Sequence, residues 1–259
     1  MTTIEAIADL LHTAARQATE VDPWNHGAGG FDLATAYQVQ DAVVARRVAE
    51  GERIVGAKLG LTSRAKQQAM GVHEPLYAWL TDAMNHPAEK PLRLDGFIHP
   101  RVEPEIAFVM AQPLKGPGVG VLDVLAATGA VAGALEIIDS RYRDFRFTLP
   151  DAVADNASSA AFVLGPLQRP ADFDLSLVGC VLEVDGQAVD SAAGAALLGH
   201  PAEAVAALAN DLGRRGLSLE PGWVILAGGL TAPVALSPAT SVVARFSRLG
   251  TVRLLCDVN

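Results

Sequence analysis

The chain has 259 residues, half of them hydrophobic and 19% charged, which supplies ample apolar surface for one large core and gives no compositional sign of disorder. Its formal charge of −9, with Lys and Arg scattered along the chain, leaves no basic patch for a nucleic-acid backbone. No apolar run is long enough to cross a bilayer, and the start MTTIEAIADLL has acidic residues where a signal peptide carries positive charge, so a cytoplasmic protein is expected.

In chain order, Ile4, Ile7, Leu10, Leu11, Ala14 and Ala15 recur at helical spacing and predict a first helix that ends before a loop around Pro23 and Gly27. A second helix is expected from about Asp32, with Leu33, Ala36, Tyr37, Val43, Val44 and Val48 as its apolar stripe and Gly51 at its C-terminal cap. Residues 1–52 therefore read as a helical N-terminal arm and 53–259 as the core domain. After Glu52 the texture changes to short apolar runs bounded by turn residues: IVGAKLGL, RVEPEIAFVM, ALEII, SAAFVLG, GCVLEVDG, WVILAGG, SVVARF and TVRLLC. Two helices interrupt these strands, one from Asp123 to about Ala132 and one from Pro201 to Arg215, the latter closed by Gly216. Cys180 and Cys256 form no metal or disulfide pattern and read as buried apolar fillers.

Glu103 and Glu105, two apart in RVEPEIAFVM, project from the same face of a strand, and Pro104 between them hints at an edge or a bulge. A solvated strand face is the commoner fate of such a pair. Glu136 shifts that balance, because VAGALEIID surrounds a third carboxylate with apolar residues. Three buried acids would be forced to protonate unless a cation compensates them, and an all-oxygen set selects Mg²⁺, with Mn²⁺ as a substitute, over zinc.

Lys58 alternates with Gly56 and Gly60 in IVGAKLGL, so glycine neighbours are expected to leave room for a ligand beside its ammonium. The polar stretch that holds Asp139, Ser140, Arg141, Asp155, Asn156, Ser158 and Ser159 reads mainly as capping side chains, although the Arg141 fork suits a carboxylate. In LAGGLTAP, Gly228, Gly229 and Thr231 offer backbone that can approach a small anion or simply turn. The histidines form no nucleophile–base pair, and His200 reads as a cap or packing residue at a helix start.

The stretches GAKLGLTSRAKQQAMGV, RVEPEIAFV, ALEIIDSRYRDF and DAVADNASS together resemble the hydratase and decarboxylase family of meta-cleavage pathways, over most of the chain. The resemblance implies an α+β fold of the fumarylacetoacetate hydrolase kind, with a mixed, roll- or barrel-like β-sheet core, a helical N-terminal region and homo-oligomers. It places Mg²⁺ on Glu103, Glu105 and Glu136 and the lysine of the K-x-G-L-T-S motif at Lys58; together with the residue reading above, catalytic roles are expected for Lys58, Arg141 and Asp155 and substrate-binding roles for Leu76, Ser159, Gly228, Gly229 and Thr231.

Hydratases of that family usually carry an aspartate where GVHEPLYAWL has Leu76, and DSRYRDFRF, ADNASS and GAALLGHPAEAVAALANDLGRRG look closer to decarboxylases. The resemblance thus implies decarboxylation of 2-oxo-3-hexenedioate, with a hydratase using Glu74 or another base as runner-up and a sister hydratase as a possible partner. A non-catalytic scaffold is a third reading, against which stands the complete carboxylate set. LSPATSVV departs from the proline-glycine-aspartate turn of relatives, so the turn at Ala239 and Thr240 is expected to differ.

Overall fold

The computed structural model describes residues 3–24 and 30–258, so Gly27 of the predicted loop lies outside the described residues. Helix α1 (Thr3–Gln17) buries Ile7, Leu11 and Ala14, and α2 (Leu33–Ala49) starts at Asp32, whose carboxylate accepts the Thr35 N–H. Gly51, just past α2, takes a φ of +103°, the left-handed conformation expected of a C-terminal glycine. The two helices pack on each other and on α5 (Leu149–Ala154), with Leu76 and Tyr142 in the same apolar cluster.

The core is built on two sheets. The larger has the order β2-β1-β8-β3-β4-β5, with β9 also paired to β3; the smaller has the order β11-β10-β6-β7. Its members are β1 (Ile54–Gly60), β2 (Leu76–Thr81), β3 (Arg101–Met110), β4 (Thr128–Ile138), β5 (Ser159–Leu164), β8 (Val224–Leu226) and β9 (Val234–Ala235). The smaller sheet comprises β6 (Gly179–Val184), β7 (Gln187–Ala193), β10 (Ser241–Phe246) and β11 (Gly250–Leu255). The β1–β8 pair is parallel and the other named pairs are antiparallel, which makes the large sheet mixed. Its ends approach each other: Asn85 bridges to Phe162, and the His86 N–H donates to the Phe162 carbonyl at 2.8 Å. The sheet therefore curls toward a barrel, as expected.

Alternation divides the large sheet sharply. Ala57, Leu59, Val102, Ile106, Phe108, Leu135, Ile137 and Ile225 join the main core with the small sheet and α6 (Pro201–Arg214). The other face carries Lys58, Glu103, Glu105 and Glu136 among Ala78, Ala107, Ala134, Phe162 and Leu226. Pro104 lies inside the sheet, yet its backbone faces the gap between β8 and β9, where its carbonyl accepts the Leu230 N–H. The missing N–H therefore removes no β3–β4 ladder bond, so Pro104 behaves as a local edge.

Several elements differ from expectation. The predicted helix to Ala132 stops early: α4 spans Val121–Ala127, and Thr128 onward pairs with β3 as strand. Its alanine-rich composition fits either state, and the long β3 partner decides for strand. Strand β2 escaped prediction because all six of its residues are buried, which erases period-two alternation. The short helix α3 (Arg64–Met70), α5 and the exposed strand β7 were also not anticipated. As predicted, α6 is closed by Gly216 at φ +80°, and His200 caps it, its Nδ1 accepting the Ala202 N–H at 3.1 Å. Both cysteines are free and buried. Ala239 adopts φ +63° inside a Ser237–Thr240 turn closed by a 3.1 Å hydrogen bond, which places an alanine in the left-handed region.

Candidate metal centre

Strand pairing brings the acids together. Glu103 lies directly opposite Glu136 on β3 and β4, and Glu105 opposite Ala134 points from the same face. Oxygens of the three carboxylates lie within 4.8 Å of one another, and all three residues are buried. From β1, the Lys58 Nζ stands 3.0 Å from Glu136 Oε1 and donates to Oε2 at 3.2 Å. Burial pulls the Lys58 ammonium down, but attraction to Glu136, Glu103 and Glu105 outweighs it, and the group stays protonated. Burial drives the Glu105 carboxyl well above the ordinary range, and the charges of Glu136 and Glu103 push it further.

One ammonium against three carboxylates leaves a buried negative excess. Glu105 Oε2 accepts the Gly228 N–H at 2.6 Å, while its Oε1 is buried without a hydrogen-bond partner. An orphaned carboxylate oxygen in a cluster of three is the donor set a hard divalent cation requires, so the residues fit Mg²⁺.

The glycines of the neighbourhood act by close approach. A Cβ on Gly229 would lie 1.9 Å from Glu103 Oε2, and one on Gly228, at φ +110°, would lie 2.0 Å from the Thr62 hydroxyl. Thus Gly228 and Gly229 serve carboxylates of the protein itself, and Thr231 is buried beside them. The expected ligand space beside Lys58 is corrected here. A Cβ on Gly56 would lie 1.8 Å from the Val224 carbonyl, and one on Gly60 would meet Leu76 at 2.8 Å, so these glycines admit neighbouring strands. Leu76, opposite Gly60 on β2, sits on the Lys58 face and also packs against the N-terminal helices. Thr62, buried against Gly228, was not singled out in the sequence. Its only signal is membership of the K-x-G-L-T-S run.

Arg141 and Asp155 meet each other. The Arg141 backbone N–H donates to Asp155 Oδ2 at 3.0 Å, its Nε donates to Oδ1, and its Nη2 reaches the Asp155 carbonyl. Burial pushes the Asp155 carboxyl up to about 6, with Arg141 opposing. Asp139 accepts the N–H groups of Ile98 and His99, a capping role. A cavity of about 310 Å³ separates this cluster from α1 and α2, with His12, Arg16, Arg47, Arg141 and Ser159 in its wall. A second, of about 370 Å³, is bounded by Leu33, Tyr37, Leu61, Val72, Leu76 and Leu149. Neither is lined by the three glutamates.

A curled mixed sheet with three buried carboxylates and a lysine on one face is the framework of a divalent-metal-dependent enzyme. The model of the fumarylacetoacetate hydrolase C-terminal family matches residues 49–255. The chain belongs to the fumarylacetoacetate hydrolase family. It is 41% identical over 248 residues to a 4-oxalocrotonate decarboxylase of Pseudomonas sp. (strain CF600), covering 95% of this chain and 94% of that one. It is also 41% identical over 239 residues to a 2-hydroxyhexa-2,4-dienoate hydratase of Comamonas testosteroni, covering 91% and 90%. The solved 4-oxalocrotonate decarboxylase from Pseudomonas putida G7, complexed with magnesium and adipate, superposes with a TM-score of 0.95 at 38% identity, covering 99% of this chain and 98% of that one.

Proposed function

We propose that the chain is a Mg²⁺-dependent lyase that decarboxylates 2-oxo-3-hexenedioate to 2-hydroxypenta-2,4-dienoate and CO₂. The observation that carries this reading is the buried Glu103–Glu105–Glu136 cluster with the Lys58 ammonium paired to it and Leu76 on the same face. Similarity to decarboxylases over nearly the whole chain supports it.

In this reading Glu103, Glu105 and Glu136 hold Mg²⁺, which when bound supplies Lewis-acid stabilisation of negative charge at the 2-oxo end of the substrate. The bond to the far carboxylate breaks, CO₂ leaves, and the electron pair passes through the alkene to the 2-oxo oxygen, which takes up a proton. Lys58 donates a hydrogen bond to that oxygen and holds positive charge beside it. Ser159 and Thr231 bind substrate, and Gly228 and Gly229 shape the pocket by orienting the carboxylates. Arg141 and Asp155 support the site as a pair. Leu76 keeps the departing carboxylate's surroundings dry, which favours the neutral product.

The runner-up, hydration of 2-hydroxypenta-2,4-dienoate, needs a proton carrier in place of Leu76. Glu74 is a poor replacement, because its side chain is 71% exposed and is held by Arg214. We further place the protein in the cytoplasm as a homo-oligomer, with a sister hydratase as a possible partner. Among the described residues no helix is long and apolar enough to cross a membrane.

The deciding experiment mixes purified protein with 2-oxo-3-hexenedioate and Mg²⁺, with and without chelator, and follows CO₂ and the dienol's ultraviolet absorbance. Chelator-sensitive CO₂ release is the expected outcome. Absence of CO₂ together with rapid consumption of 2-hydroxypenta-2,4-dienoate would assign the hydratase instead.

A further inference from the structure

Strand β2 ends the large sheet, and two side-chain amides cover its open edge. Gln40 Nε2 donates to the Tyr77 carbonyl at 3.0 Å, and Asn156 pairs with Trp79 through both of its amide atoms. The Trp79 N–H donates to Asn156 Oδ1 at 2.9 Å, while Asn156 Nδ2 donates to the Trp79 carbonyl at 2.9 Å. One asparagine thus mimics the strand that would otherwise pair there, and it stands three residues before β5, at the opposite end of the sheet.

The backbone around Asn156 is costly. Asn156, Ala157 and Ser158 have φ values of 49°, 46° and 59°, three consecutive left-handed residues without a glycine. Such conformations persist where surrounding structure over-determines them. Here the Ser158 N–H donates to the Asp155 carbonyl at 3.0 Å, and the Ser158 carbonyl accepts the Asp139 N–H at 2.8 Å.

What this turn delivers is Ser159. A bulge in β5 makes Ala160 the extra residue, so that Ser159 falls opposite Ile138, two residues beyond Glu136 and on the same face as it. The Ser159 hydroxyl is buried and has no hydrogen-bond partner. Without the left-handed turn and the bulge, β5 would begin in another register.

We propose that Asn156 is a positioning residue: by locking the turn to the free edge of β2, it aims the Ser159 hydroxyl at the carboxylate face, where it binds the substrate. This rests on the functional reading above, in which Ser159 contacts substrate. Gln40 covers the same edge and also donates to the Val153 carbonyl of α5 at 3.0 Å, but its amide bonds neither Asn156 nor Ser159, so it serves as the control for edge and helix packing without the Asn156 lock.

The test measures adipate binding to the Mg²⁺-loaded protein by calorimetry, Mg²⁺ binding alone, and steady-state turnover of 2-oxo-3-hexenedioate, for Asn156→Ala, Ser159→Ala, the double variant and Gln40→Ala. Each of the first two should weaken adipate binding and lower kcat/KM about 10- to 100-fold, the range of supporting contacts around a metal site, with Mg²⁺ affinity unchanged. The double variant should be no worse than either single one, because both remove the same contact. Gln40→Ala should lower Tm and leave kcat/KM alone. If Asn156→Ala does not fold, Asn156→Gly removes both amide bonds while easing the left-handed backbone at φ 49°, and the same pattern of losses is expected. Multiplicative effects in the double variant, unchanged adipate affinity, or loss of Tm alone would overturn the proposal. An adipate pattern as expected in a wild type that releases no CO₂ would leave Asn156 in its role and refute the assigned reaction.

Discussion

Glu105→Gln separates the metal assignment from mere burial, because it should move stability in opposite directions with and without Mg²⁺. In the wild type under chelator, Glu105 is a buried carboxylate beside two others, with Oε1 unpaired. Its raised pKa means that the stability it contributes in acid is lost as pH rises through the folded value. The amide can still accept the Gly228 N–H, and it removes an unsatisfied acceptor that costs about 1–3 kcal/mol. For a chain of this length the unfolding entropy is about 0.5 kcal/mol per kelvin, so chelated Glu105→Gln should melt roughly 2–5 °C above chelated wild type. Mg²⁺ at a hundredfold excess over its Kd should add about 2.7 kcal/mol to the wild type, or about 5 °C, and almost nothing to the variant. Scanning calorimetry at pH 8 with Mg²⁺ or EDTA reads both shifts. A variant that melts below chelated wild type yet keeps the full Mg²⁺ shift would refute the reasoning.

Lys58→Met leaves Glu136 without its buried cation and should cost about 3–5 kcal/mol under chelator, with turnover down at least about 100-fold; denaturant titration and CO₂ release check the two effects. Ala239→Gly relieves a left-handed alanine on an exposed turn, and after the entropy of the freer unfolded glycine it should stabilise by about 0.5–1 kcal/mol, seen as a higher urea midpoint at unchanged slope. Asp155, raised to about 6 from 3.8, favours the fold most when protonated. The stability of the wild type relative to Asp155→Asn should therefore fall by about 2 kcal/mol as pH rises from 4 to 6, and a flat difference in denaturation series across that range would contradict the burial of its charge.

The site was more legible than the fold around it. Glu103, Glu105 and Glu136 could be grouped because buried acids in apolar strands are individually costly and therefore conspicuous. Lys58 followed from strand alternation. The roles of Gly228 and Gly229 were not legible, since whether a glycine approaches a ligand or another part of the protein depends on what stands opposite it. Arg141 and Asp155 were separately visible, but their mutual pairing arises from the turn geometry between β4 and β5. Strand β2 was invisible because its uniform burial removes the periodic signal, and with it went the seam that Asn156 closes. The extended helix expected from Asp123 shows the converse, an alanine-rich segment assigned to strand only by its distant partner.

The position of β8 bears on how the enzyme comes into being. It is a three-residue strand from late in the chain, yet it lies between β1 and β3, and the turn after it hands Glu105 a hydrogen bond across 123 residues of sequence. A nascent chain that has emerged only as far as α6 would possess every carboxylate and the lysine but have an open slot in the middle of its main sheet. Metal capture and completion of the sheet are then coupled to the same late event. Slow, non-local assembly of this kind exposes strand edges while it waits, and a truncation just before residue 224 would produce a chain rich in site residues and poor in both folding and metal binding.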